Sequence, residues 1–178
     1  TKEILQVFKA DPPIQFPFIA KAADTFGGQM NFLVNSYSEL KSALNAHKDQ
    51  FFVIQEFIPN DCDYRVLIMG GEIIFTMRRS RQASENTHLN NTSAGGEGEF
   101  VPTDVLTEEM RRDVLKAAET TLRSDFAGVD LIIDSTTGKH YILEVNEAPA
   151  IQTGYDPEFK IAKYMEYLKA MSNKGEGK

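Results

Sequence analysis

Three oxygen-bearing side chains stand out in the second half of the chain: Asp130 in AGVDLIID, and Glu144 and Asn146 in YILEVNEAP. Asp130 lies among apolar residues, where a carboxylate is costly unless it is paired or bound to a cation. Glu144 and Asn146 are two residues apart in a strand-like run that breaks at Pro149, so both side chains leave one face of a sheet at its end. If 127–134 and 140–146 are neighbouring antiparallel strands, Asp130 and Glu144 converge with the Asn146 amide oxygen beside them. Such hard oxygen donors are the type magnesium takes; they are too few to fill its six positions, and phosphate oxygens and water would complete the shell. The plainer alternative for each carboxylate alone is an ordinary hydrogen-bonded side chain at a sheet margin. The set of three favours the metal.

A candidate for the phosphate side lies upstream. Lys21 sits inside an apolar strand and is followed by Gly27-Gly28, which would place its ammonium in a cleft under a backbone turn that covers phosphates. The alternative is a lysine that snorkels to solvent. Gln55, Glu56, Phe57 and Ile58 end another strand. Backbone groups freed there could read an adenine edge, or the segment is simply a strand end.

Alternating elements must carry these residues. The chain opens on what reads as the end of a helix, EILQVF. Segments 16–22 and 29–34 read as strands, and 36–48 as a helix with Ser36 at its cap and Glu39 three residues on. Segment 51–58 is an apolar strand. YRVLIMG and GEIIFTMRR then form a hairpin around Gly70-Gly71. The polar, glycine-bearing stretch 84–99 reads as a mobile loop of the kind that closes over ligands. Segment 105–124 is a helix capped near Thr107, 127–134 and 139–146 are strands, 160–171 is an amphipathic helix, and 172–178 should be disordered.

This pattern predicts an α+β chain of two lobes, 1–58 and 59–171, followed by the tail 172–178. A net charge of -7 and pI near 5 argue against a nucleic-acid or membrane surface, leaving only a local basic patch at Arg78, Arg79 and Arg81. One cysteine, Cys62, allows no internal disulfide, and no segment is apolar enough for a signal peptide or membrane span. A soluble, cytoplasmic protein is expected. The chain starts at Thr1 within helical sequence, which suggests a piece of a longer protein.

The order FPFIAK, QEFI, DYR, RQA, NNTSAGG, AGVDLI and LEVNEAP resembles the ATP-grasp superfamily, and within it the RimK-like and glutathione-synthetase-like carboxylate–amine ligases. The likeness runs over nearly the whole chain. It implies an ATP-grasp fold whose two lobes clasp ATP with magnesium, manganese being the alternative metal. By the same resemblance Lys21 is the phosphate-contacting lysine beside the Gly27-Gly28 turn. Glu56 and Phe57 form the adenine hinge, and Asp63 precedes the arginine of an Asp-x-Arg motif, Arg65. Asn91 is the asparagine of an Asn-x-x-x-Gly-Gly loop near the triphosphate, and Asp130, Glu144 and Asn146 are the metal ligands. The cluster at 78–81 leaves two registers for a further family arginine, Arg79 or Arg81. Two features depart from the pattern: Met30 stands where relatives often carry another glycine, and the family's N-terminal substrate-binding domain is not in this chain.

The implied reaction activates a carboxylate as an acylphosphate for attack by an amine, such as that of an amino acid or peptide, yielding ADP and phosphate. A kinase that phosphorylates a hydroxyl and a non-catalytic nucleotide-binding module are the rival readings.

Overall fold

The structure, a computed structural model, describes residues 2–25, 29–81, 88–90 and 97–175. It divides into two compact units, Thr1–Ile58 and Pro59–Lys178. No helix among the described residues is long and apolar enough to cross a membrane.

In the first unit, α1 (Lys2–Ala10) is followed by β1 (Phe18–Ala22), β2 (Asn31–Val34), α2 (Tyr37–Ala46) and β3 (Phe52–Glu56). The strands form an antiparallel sheet in the order β2-β1-β3. Alternation decides its faces. Phe18, Ala20 and Val34 pack with Phe8 of α1 and with Leu40 and Leu44 of α2, whereas Lys21, with its register partners Asn31 and Val53, lies on the other face. The predicted cap of α2 is present: the Glu39 amide donates to Ser36 Oγ at 3.3 Å. The Glu39 carboxylate reaches back to the amide of Asn35 at 2.8 Å, one residue before the usual partner in a capping box.

The second unit holds the five-stranded antiparallel sheet β6-β5-β4-β7-β8, made of β4 (Cys62–Met69), β5 (Glu72–Ser80), β6 (Glu97–Val101), β7 (Phe126–Ile133) and β8 (His140–Asn146). A short 3-10 turn, Thr103–Val105, leads into α3 (Glu108–Thr120), and α4 (Pro157–Gly175) closes the chain. Gly70 and Gly71 join β4 to β5 with φ of +56° and +77°, the doubly left-handed turn that a two-residue hairpin demands. Thr107 caps α3 by accepting from the Met110 amide at 3.2 Å.

Two sequence expectations need correction. The stretch 84–99 is not loop to its end, because Glu97, Gly98 and Glu99 pair with Ser80, Arg79 and Arg78 as β6. The helix expected over 160–171 begins at Pro157 and runs to Gly175, so 172–175 belong to α4 rather than to a disordered tail. Its start is set by Asp156, whose carboxylate accepts from the Phe159 amide at 3.0 Å.

The core of this unit has two sides. Val66, Ile68, Val129 and Leu131 pack against Met110, Val114 and Ala118 of α3. On the other face Leu67, Met69 and Phe75 pack with Phe159, Tyr164 and Tyr167 of α4. That second face continues, at the other end of the same strands, into charged residues.

Candidate functional site

Register brings the charged residues together. Arg65 of β4 lies opposite Asp130 of β7, Asp63 lies opposite Arg79 of β5, and Asp130 lies opposite Glu144 of β8. Cross-strand partners share a face, and so do residues two apart. Asp63, Arg65, Arg79, Asp130, Glu144 and Asn146 therefore form one patch across four strands.

A bulge makes this possible. Asp130 pairs with Glu144 but Leu131 pairs with Ile142, so Leu143 is the extra residue. Ile142 can then pack toward α3, while Glu144 and Asn146 stay on the charged face.

The patch is tightly paired. Arg65 donates from Nε and Nη2 to the two carboxylate oxygens of Asp130, each at 2.7 Å. Arg79 places Nη2 at 3.0 Å from Asp130 Oδ2 and Nε at 2.5 Å from Asp63 Oδ1. Asp63, Arg79 and Asp130 are 5%, 3% and 4% exposed, so charges that would be prohibitive singly are buried as a chain of ion pairs. Burial pushes the Asp130 carboxyl up, but the Arg65 hydrogen bonds and the charges of Arg79 and Arg65 outweigh it and hold the group below the ordinary carboxylate range. Burial raises the Asp63 carboxyl, with Arg79 opposing.

Glu144 is exposed at this edge. It accepts from Asn146 Nδ2 at 2.9 Å and stands 3.9 Å from Arg65 Nη2. Sequence reasoning expected the amide oxygen of Asn146 beside the carboxylates; here the amide nitrogen faces Glu144, the favoured orientation when the neighbour is an anion. Sequence reasoning also expected Asp130 to need a partner, which the structure supplies as two guanidinium groups.

The other candidates fall elsewhere. Arg81, just beyond β5, donates to the carbonyl oxygens of Asn60 and His88, so of the two arginine registers it is Arg79 that joins Asp130. In the first unit Lys21 and Gln55 share the sheet face opposite the helices, Glu56 takes the other parity, and Phe57 and Ile58 follow the strand end. Gly27, Gly28 and Asn91 lie outside the described residues. The sequence reading passed over Lys160, which is buried at the start of α4; a lysine in an amphipathic helix gives no sign of being turned inward.

Chemically, the patch offers two carboxylates and an amide at one edge, backed by two arginines whose planar forks can hold pairs of oxygens. Among the described residues no three His, Cys, Asp or Glu side chains gather as a metal site. The two carboxylates would depend on Asn146 and on a ligand's own oxygens to complete a coordination shell.

The comparisons with known proteins agree with this architecture. The fold is that of D-alanine–D-alanine ligase from Bacillus anthracis, with a TM-score of 0.65 and 20% identity over 94% of this chain and 54% of that one. A probable alpha-L-glutamate ligase of Aeromonas salmonicida is 29% identical over 167 residues, which cover 89% of this chain and 53% of that protein. The ribosomal protein bS6–L-glutamate ligase of Escherichia fergusonii is 32% identical over 130 residues, 69% of this chain and 39% of the relative. The chain thus spans about half the length of the first of these relatives and less of the second. The sequence pattern of the RimK-like ATP-grasp domain runs through residues 2–168, and the chain belongs to that family.

Proposed function

We propose that the protein carrying this chain is an ATP-dependent carboxylate–amine ligase that forms an acylphosphate and releases ADP and phosphate. The observation that carries this reading is the convergence of Asp130, Glu144 and Asn146 with Arg65 and Arg79 on one sheet face, in a chain of the RimK-like ATP-grasp family. The named glutamate ligases among its relatives make an amino acid such as L-glutamate the amine to try first.

The donor types, two carboxylates and an amide, suit a hard divalent cation; the Asp130 oxygens are engaged by Arg65 and Arg79, so an ion would share or replace those contacts. Asp130, Glu144 and Asn146 would hold magnesium, or manganese in its place, and the bound ion would neutralise phosphate charge as the γ-phosphoryl group moves. Arg65 is the partly exposed arginine and is suited to hold the acylphosphate oxygens, while Arg79 keeps the charge behind it fixed. Asp63 is better read as the residue that orients Arg79 than as a nucleotide contact, because its carboxylate is buried against that guanidinium. Lys21 would serve the phosphates and the backbone of Gln55 to Ile58 the adenine. Gly27, Gly28 and Asn91 keep the phosphate roles that the family likeness gives them.

The product decides the matter. With ATP, magnesium, L-glutamate and peptide acceptors, the complete protein should release ADP, and hydroxylamine should trap the activated acid as a hydroxamate. AMP and pyrophosphate, or a stable phosphorylated alcohol without hydroxamate, would overturn the reading. Magnesium with ATP should also raise the unfolding temperature, by linkage, and Glu144→Gln should lose most of that rise. An undiminished rise in the variant removes Glu144 from the metal site.

A further inference from the structure

On the α3 side of the five-stranded sheet, away from the charged patch, one residue breaks two rules at once. Leu122 follows α3 with φ +58° and is 92% exposed. Its N–H donates to the Glu119 carbonyl at 2.9 Å and that of Arg123 to the Ala118 carbonyl at 2.8 Å, the helix-ending turn whose left-handed position normally belongs to glycine. A bulky side chain is strained there, and an exposed leucine gains nothing from burial. A single leucine in solvent is ordinary. One kept in a strained backbone position that glycine would fill without cost asks for a use.

Beside it lies a groove of about 670 Å³ with Ile68 and Leu115 as its apolar floor. Gly71 and Ser124 make one wall, fixed by the Gly71 amide donating to the Ser124 carbonyl at 2.9 Å. The opposite rim is α3, with the exposed side chains of Arg112, Lys116 and Glu119. An added Cβ at Gly71 would meet nothing within 4 Å, so that wall stands open. Glu119 and Ser124 flank Leu122 in the chain, and knob and groove therefore adjoin.

A surface that carries both a projecting side chain and a hole is self-complementary under a twofold axis. The charges agree with that symmetry. Arg112 and Glu119 lie two turns apart on α3, too far to pair with each other, and the one ion pair of Arg112 is a long, exposed contact with Asp113 at 3.9 Å. Antiparallel contact between the α3 helices of two copies reverses their order and sets Glu119 of each beside Arg112 and Lys116 of the other. The same reversal carries Leu122 of each toward the Arg112 end of the other's groove.

We propose that this face is a homodimer contact: a second copy of the chain, with its α3 antiparallel to the first, seats Leu122 in the groove over Ile68 and Leu115. A contact built on one helix falls at the small end of specific interfaces, so the dissociation constant should be on the order of 10 µM. The proposal is independent of the ligase reading.

Sedimentation equilibrium of the complete protein tests it. The wild type should pass from monomer to dimer as its concentration rises through that range. Leu122→Gly removes the knob and supplies the residue the turn prefers, so it should weaken association at least tenfold, while its unfolding temperature, read at a dilution where the wild type is monomeric, should be no lower than that of the wild type. Arg112→Glu should weaken association about fivefold by facing Glu119 of the second copy, and the double variant Arg112→Glu, Glu119→Arg should recover most of that loss, because the pair across the axis is restored. A wild type that stays monomeric at ~100 µM overturns the proposal and leaves the groove to a different partner. A dimer that Leu122→Gly leaves unchanged, or a double variant no better than Arg112→Glu alone, places the contact elsewhere and overturns it as well.

Discussion

On the α3 side of the five-stranded sheet, Val66, Val129 and Leu131 are wholly buried; on the other side their immediate neighbours in the same strands, Arg65 and Asp130, are charged. The buried part of one face is apolar apart from Thr76 and packs against α3. The other is divided, with an apolar half under α4 and a charged half made of Asp63, Arg65, Arg79 and Asp130. The apolar face gains by excluding water, an effect without direction that tolerates exchange among residues of similar volume. The charged face holds together only through specific partners, so its geometry is exacting and the loss of one member is felt by the rest.

The largest expected effect follows from that difference. Arg79→Met leaves the buried Asp63 carboxylate without its partner and takes one of two guanidinium groups from Asp130. Breaking a buried pair from one side should cost about 3–5 kcal/mol in urea unfolding. Adding Asp63→Leu removes the orphaned charge and should recover a large part of the loss. A single variant that loses under ~1 kcal/mol would mean that water reaches this pair.

How much of the contrast was legible in sequence depended on how far apart the partners lie. The turn at Gly70-Gly71, the cap at Ser36 and the pairing of Asp130 with Glu144 are local patterns, and all three appear in the structure. The union of Asp63, Arg65 and Arg79 with Asp130 needs the register of three strands, one of them distant in the chain, so sequence reasoning named the residues without their ion pairs. Strand β6 was hidden because Glu97-Gly98-Glu99 has the composition of a turn, and only Tyr155 packed on Gly98 accounts for the glycine. The bulge at Leu143 left no mark, since alternation alone would put Ile142 and Glu144 on one face.

A smaller effect probes the apolar face from the opposite direction. Thr76 of β5 lies opposite Val66 on the α3 side, is fully buried, and its hydroxyl has no hydrogen-bond partner among the described residues. It is a polar atom on the side where only shape matters. Thr76→Val keeps the shape and removes the unpaired group, so it should stabilise by about 1 kcal/mol, raising the unfolding temperature by roughly 2–4 °C. A loss of similar size would show that the hydroxyl has an acceptor.

The smallest effect separates a carboxylate held by charges from one held by neutral donors. Asp134 follows the end of β7 and accepts from Thr136 Oγ1 at 2.6 Å, from the Thr136 amide at 2.8 Å and from Thr137 Oγ1 at 2.8 Å. The Thr136 hydrogen bonds lead in holding its pKa down to about 2, against ~3.9 for an unfolded aspartate. The folded chain binds this proton less readily than the unfolded one, so the contribution is complete above about pH 4 and is lost as pH falls toward 2. Asp130 is depressed in the same direction, but by guanidinium groups. Asp134→Asn should therefore be slightly less stable than the wild type at pH 7 and should decline less steeply between pH 4 and pH 2 in thermal unfolding. Because its donors are uncharged, that difference should be nearly the same in low and high salt, whereas exposed charge pairs weaken as salt is added. Parallel acid limbs for the two proteins would show that the threonine hydroxyls do not hold the Asp134 carboxylate in solution.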